Sequence, residues 1–158
     1  MLRNDKGKTV SKNGRKLKDD SYGVVQPNGE IVIHWDLLYA NPNVDEKGFD
    51  TKHREARGKY KITVSLPKGF VIIRYGAETG HFTAPEGTDY EQLSLPYVRD
   101  SIEFHRYRVI ADGITVVCYV ERGRVAPGFG SVGGGIQFYH KKNMLQCIRY
   151  KEIERISS

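Results

Sequence analysis

"ITVVCYVERGRVAPGFGSVGGGIQFYH", Ile114 to His140, sets two runs of β-branched and aromatic residues on either side of a glycine-rich connection. Such side chains pack well on a pleated surface, so both runs predict strands. The connection decides the fold class. A dinucleotide-binding glycine loop must lie between a strand and a helix of a parallel unit, whereas "GSVGGG" (Gly130 to Gly135) leads into the apolar, β-like Ile136, Phe138 and Tyr139. A doubly wound parallel sheet therefore does not fit.

The same strand signals recur outward from this stretch. "KYKITVSL", "GFVIIRYG" and "FHRYRVI" precede it, each punctuated by Gly, Pro or Asp. Further back, "YGVVQPNGEIVIHW" places a Pro27-Asn28-Gly29 turn between two short runs and predicts a hairpin. "NPNVDEKGFDTKHREARGKY" is polar and turn-rich, which predicts a surface excursion with one short helix near Lys52 to Arg57. Thr88 as N-cap with Glu91 as its capping-box partner predicts a short helix in "TDYEQLSL". The last segment, "KKNMLQCIRYKEIERI", reads as a turn of helix followed by a strand. The expected class is α+β with strands in the majority: one small domain with a twisted antiparallel sheet core and a few short helices.

The chain has 158 residues and a net charge of +6, a length that buries a real core without metal or disulfide staples. The charge is unevenly placed. Residues 1–20 hold seven Lys or Arg against three Asp, while the rest holds 18 basic and 16 acidic residues. Low apolar content in this segment predicts a flexible basic leader over 1–20 and a folded domain over 21–158. A solvated linker is a simpler reading of this leader than a nucleic-acid arm. No secretory h-region and no apolar run of membrane-spanning length occurs. Cys118, in an apolar strand, and Cys147 read as two reduced core thiols.

Metal-ligand spacing, P-loop, nucleophile-elbow and zincin motifs are absent from the sequence. Three constellations remain. In Gly133 to Gly135 the missing side chains permit close approach from outside, by a second strand or by a ligand. Gln137, fenced by Ile136 and Phe138, is either a satisfied core amide or an amide aimed into the space the glycines leave. Arg74 ends an apolar strand before a glycine-punctuated loop. It presents a fork of donors to a phosphate, or it pairs with Glu78 or Glu86. His105 shares a strand face with Tyr107 by alternation, with Arg106 and Arg108 on the other.

"RYG", "TGHFTAPEGT", "FHRYRV" and "APGFGSVGGGIQ" follow one another in the order found in the TNT domain family, named for the tuberculosis necrotizing toxin, and the chain resembles that family from about Gly69 onward. The family's pattern runs as Arg-aromatic-Gly, Gly-x-aromatic-x-x-Pro-x-Gly-Thr, Arg-x-Leu-Pro, a His-bearing strand, and Ala-Pro-x-Phe-Gly-x-x-Gly-Gly-x-x-Gln. The resemblance implies hydrolysis of the nicotinamide–ribose bond of NAD+ or NADP+, consumed as substrate with no retained cofactor and no metal. It implies Gln137 and His105 as catalytic residues. Arg74, Tyr75, Phe82, Gly134 and Gly135 would bind substrate, with Arg74 on the pyrophosphate and Tyr75 or Phe82 against a ring. It also implies a toxin secreted by a specialised system or as part of a larger fused chain, acting in a recipient cell's cytoplasm. A cognate immunity protein would occlude the cleft. Leu93 stands where the family has an arginine, and Arg99, Arg106 or Lys68 is the expected substitute. Protein ADP-ribosylation is the alternative within enzymes, disfavoured by the lack of a Glu-x-Glu pair. An RNA-binding or ribonuclease module is the alternative outside this chemistry, on the strength of the basic leader, ten tyrosines and five histidines (His34, His53, His81, His105, His140).

Overall fold

The computed structural model describes residues 11–54 and 56–156. The hairpin forms as expected: β1 (Gly23–Val25) pairs antiparallel with β2 (Ile31–Ile33) across the Pro27-Asn28-Gly29 turn. Seven further strands make one sheet: β3 (Lys61–Ser65), β4 (Val71–Tyr75), β5 (Phe82–Pro85), β6 (Phe104–Val109), β7 (Tyr119–Arg124), β8 (Ile136–Tyr139) and β9 (Ile153–Ile156). Their order is β3-β7-β8-β5-β4-β6-β9, and every pairing is antiparallel. Two short helices, α1 (Asp36–Tyr39) and α2 (Met144–Arg149), and four 3-10 turns complete the described residues. The strand-majority expectation holds, and α2 followed by β9 is the helix-then-strand ending read from the sequence.

Alternation along β4 separates two cores. Ile72 joins Tyr107, Val109, Cys118, Val120 and Phe138 on one face, which α2 closes with Met144 and Cys147. Ile73 and Tyr75 join Ala84, Tyr90 and Ile102 on the other. Cys118 and Cys147 are free, buried thiols, both pushed up to about 12 by burial. None of the described helices is long and apolar enough to cross a membrane.

Four local expectations change. Residues 1–10 of the expected flexible leader lie outside the described residues, but Ser11–Asp20 is docked on the domain. Leu17 is 1% exposed and bridges Tyr97, the Lys18 N–H donates to Pro96 O at 2.9 Å, and the Val98 N–H donates to Lys16 O at 2.7 Å. One leucine fully buried is worth ~2 kcal/mol, and with these backbone bonds it anchors a segment that composition alone marks as solvated. The Lys52 to Arg57 helix is only a 3-10 turn, Ala56–Gly58, with Arg57 at φ 62°. The polar excursion before it carries Phe49, 0% exposed, seated where Gly123 leaves room. The turn after "APEG" is capped one residue later than expected: the 3-10 helix is Tyr90–Gln92, and the Asp89 N–H donates to Gln92 Oε1 at 3.2 Å. Thr88 instead donates its hydroxyl to Pro85 O at 2.7 Å.

Candidate active site

A cavity of about 640 Å3 opens on the Ile73–Tyr75 face, well inside the ~300–1,000 Å3 range of small-molecule sites. Several stretches wall it. β4 and its following loop give Arg74 to Ala77, Thr79 and Gly80, β5 and β8 give Phe82 and Gln137, and the chain before β3 gives Arg15, Trp35, Tyr39, Lys47 and Gly48. Residues 93–95 and 125–126 add to the wall.

Arg74 ends β4, and its guanidinium is wrapped by the loop that follows. Nε donates to Ala77 O at 2.7 Å and Nη1 to Phe82 O at 3.0 Å. The carboxylates offered to it by sequence are taken elsewhere. Glu78 accepts from Arg155 (2.9 Å) and from the Tyr107 hydroxyl (2.8 Å), and Glu86 pairs with Arg106. Among the described residues no ion pair involves Arg74. Burial lowers its pKa from the usual arginine value, and the charge of Arg15 pushes the same way. It is thus a half-buried cation held by two carbonyls, with donors left over for an anion.

Gln137 lies on β8 opposite Gly123 of β7, and its Nε2 donates to Lys47 O at 3.3 Å. That bond uses one N–H and leaves the second N–H and Oε1 to a ligand. Phe82, paired with Tyr139 two residues along β8, belongs to the same face. Its ring touches Tyr139 (centroids 5.3 Å) and also lines the cavity.

Other expected site residues fall differently. Tyr75 lines the cavity, but its ring is 9% exposed and packed edge-on to Tyr90 (4.8 Å) and tilted against Phe104 (4.9 Å), so it is a wall and has no free face to stack. Gly134 and Gly135 do not line the cavity. A Cβ on Gly135 would meet Gln92 Cβ at 2.9 Å, and one on Gly133 would meet the Val125–Pro127 backbone at 2.8 Å. What Gly133 and Gly135 admit is protein, while a Cβ on Gly134 would meet nothing within 4 Å. The packing at Gly133 supports Val125 and Ala126, which do line the cavity. His105 does not line it either. It is the cross-strand partner of Arg74 on the Tyr107 side of the sheet. Arg74 shares that parity and lines the cavity only because it stands at the end of β4, where the chain turns into the loop to Gly80, whereas His105 stacks on Tyr107 (6.1 Å) and its Nε2 lies 3.3 Å from Glu103 Oε2.

Sequence reasoning missed Arg15, Trp35, Tyr39 and Lys47. Lys47 pairs with Glu121 at 2.8 Å and sits 4.0 Å over the Tyr139 ring. Trp35 is 46% exposed beside the cavity, edge-on to Phe129 at 5.6 Å. The one tryptophan of the chain, placed just after a strand, was the available signal. Among the described residues, no group of three or more His, Cys, Asp or Glu could hold a metal ion.

A half-buried arginine, a neutral amide and aromatic rings thus surround one cleft on the antiparallel sheet of a small β-rich domain. Residues 65–156 match the family described as Tuberculosis necrotizing toxin, TNT, and the chain belongs to that family. The conidial surface nicotinamide adenine dinucleotide glycohydrolase nadA of Aspergillus fumigatus is 31% identical over 128 residues, 78% of this chain and 49% of that protein. The chain thus spans about half the length of the curated relative it matches. Tuberculosis necrotizing toxin, solved in complex with its immunity factor IFT, superposes with a TM-score of 0.54 at 18% identity, covering 96% of this chain and 74% of that one. At that identity the likeness is one of fold.

Proposed function

We propose that the cleft hydrolyses the bond between nicotinamide and ribose in NAD+ or NADP+. The observation that carries this reading is Gln137, a neutral amide with a free N–H and Oε1, on one cavity with the Arg74 guanidinium. Family membership and the glycohydrolase named among the relatives support it.

The chemistry asks little of a general acid. Cleavage of the C1′–N1 bond returns its electron pair to the pyridinium ring, so nicotinamide leaves neutral and unprotonated. Water then adds to C1′ and releases one proton, giving ADP-ribose or its 2′-phosphate. Ordinary glycosides need a carboxylic acid to protonate the leaving oxygen. Here a fixed hydrogen-bonding group can hold a ribose hydroxyl or orient the water while oxocarbenium character develops. Gln137 takes that role. Arg74 holds the pyrophosphate with the donors its two carbonyl bonds leave over, and Phe82 and Trp35 present ring surface to the heterocycles. The dinucleotide is consumed as substrate, with no retained cofactor.

The biological reading follows the family. The domain acts as a toxin delivered by a specialised secretion apparatus or within a larger chain, depleting dinucleotides in the cytoplasm of a recipient cell. A cognate immunity protein plugs the cleft, as the immunity factor bound to the structural relative suggests.

Purified protein incubated with NAD+ and NADP+ should release nicotinamide. Gln137→Ala should lower kcat about a hundredfold, the size of losing one preorganised donor, with little loss of stability because the side chain makes one long bond. Intact dinucleotide at high enzyme concentration rejects the reading. Label appearing on protein in place of free ADP-ribose would mark a transferase.

A further inference from the structure

We propose that Arg15 is a second phosphate-binding arginine of this cleft, acting beside Arg74 on the pyrophosphate of the dinucleotide. This rests on the dinucleotide reading above, yet its test does not depend on turnover.

Arg15 lies far from residues 65–156 in sequence but lines the same cavity as Arg74. Its placement is fixed by backbone. The Lys16 N–H donates to Ser101 Oγ at 2.9 Å, Lys16 O accepts from Val98, and Leu17 is buried one residue further on. The side chain is 20% exposed, its guanidinium carbon 5.4 Å from the Tyr97 ring centroid, and Nη2 lies 3.1 Å from Glu103 Oε1. Glu103 is 47% exposed, so this ion pair is solvated and weak. Most of the guanidinium's five donors remain for a ligand.

Two arginines facing one cavity repel each other, and the charge of Arg15 adds a smaller push to the burial that lowers the Arg74 pKa. Such an arrangement is relieved when an anion enters. A pyrophosphate diester carries two negative charges on adjacent groups and complements two planar forks. The other basic candidates are engaged or remote. Arg99 Nε donates to Tyr75 Oη at 3.4 Å, Arg106 is held by Glu86, and neither they nor Lys68 lines the cavity. Leu93, on the same wall, brings no charge. Arg15 thus supplies from the amino-terminal side the cation that this wall lacks.

The test is calorimetric binding of ADP-ribose, with inorganic pyrophosphate as a minimal probe, to the full chain and to Arg15→Gln, Glu103→Gln and Lys12→Ala. Arg15→Gln should weaken ADP-ribose about tenfold to a hundredfold, the range of one charge-assisted contact. It should also flatten the salt dependence of binding, which a purely structural role would not do. Glu103→Gln removes the competing carboxylate and should tighten binding. Lys12→Ala, an exposed residue of the same segment, should change nothing. The proposal is overturned by unchanged affinity or an unchanged salt slope in Arg15→Gln, by no tightening in Glu103→Gln, or by a wild-type protein that binds neither probe. Nicotinamide release, measured separately, reports on the hydrolase reading alone.

Discussion

Gly80→Ala is a sharp test of how Arg74 is held. A Cβ at position 80 would lie 1.8 Å from Arg74 Nη2 and 2.2 Å from Cζ, so the guanidinium must leave its place. The backbone itself accepts alanine, because Gly80 is not among the residues at positive φ. Leaving breaks the bonds to Ala77 O and Phe82 O. At ~1.5 kcal/mol for each bond to a charged group, the lower end of the range, the loss is about 3 kcal/mol. Alanine returns roughly 0.4–1 kcal/mol by restricting the unfolded chain. The net cost is about 2–3 kcal/mol, a fall in Tm of roughly 5–10 °C for a domain of this size. A double-mutant cycle isolates the cause. Arg74→Ala removes the group in the way, so adding Gly80→Ala to it should be neutral or slightly stabilising, while all three variants lose nicotinamide release. Urea unfolding of the four proteins measures this. If Gly80→Ala costs as much without Arg74 as with it, or costs nothing in the wild type, the cradle described here is wrong.

Two further outcomes follow from the sheet's other face. His140 is 1% exposed, with Nε2 2.7 Å from Thr83 Oγ1, and burial, helped by His81 and Arg74, lowers its pKa to about 3. An unfolded histidine titrates near 6.5, so below that pH the unfolded chain binds the extra proton; the stabilisation is full above pH 6.5 and is lost as pH falls towards 3. Between pH 6.5 and 5, where carboxylates stay ionised, unfolding free energy should drop by about 2 kcal/mol, and His140→Gln should remove that slope in urea titrations; an identical slope in the variant contradicts it. His105→Ala should leave kcat within about threefold, as for a substitution that removes only a solvated contact; a loss matching that of Gln137→Ala would place His105 in the chemistry after all.

The strands were legible because Val, Ile, Tyr and Phe alternate over short runs bounded by turn residues, and Ile72 and Ile73 even divide the two cores by parity. Parity also put His105 with Tyr107, correctly. What parity cannot say is which residues meet the cleft: Tyr75 and Gln137 face it from the Ile73 side, while Arg74, which shares the parity of His105 and Ile72, reaches it from the end of its strand. Glycine carries a similar ambiguity. The missing Cβ at Gly133 and Gly135 signals close approach, but protein backbone and ligand leave the same mark in sequence, and here the visitor is protein. Gly76 and Gly80 carried the same signal nearer the site, where the visitor is the arginine itself. Arg15 was hidden for another reason: the charge of residues 1–20 outweighed Leu17 in composition, whereas in the structure the buried Leu17 and a few backbone bonds hold Ser11–Asp20 on the domain.

The amino-terminal half is joined to the family-matched half through sockets that glycines provide. Phe49 Cδ1 would stand 2.6 Å from a Cβ on Gly123, Leu38 Cδ1 2.5 Å from one on Gly128, and the Tyr22 hydroxyl 2.9 Å from one on Gly130. All three sockets lie on β7 or in the connection leading to β8, so they seat α1 and the Lys47–Phe49 turn against the strands that carry Gln137. The Lys18 ammonium closes the same connection from outside, donating to Ser131 Oγ at 2.8 Å. The consequence reaches the chemistry. Gln137 is oriented by the carbonyl of Lys47, and the carbonyl of Lys47 is placed by Phe49 in the Gly123 socket. A side chain added at Gly123 would therefore act on the amide without touching the cleft, by moving the one protein group that aims it.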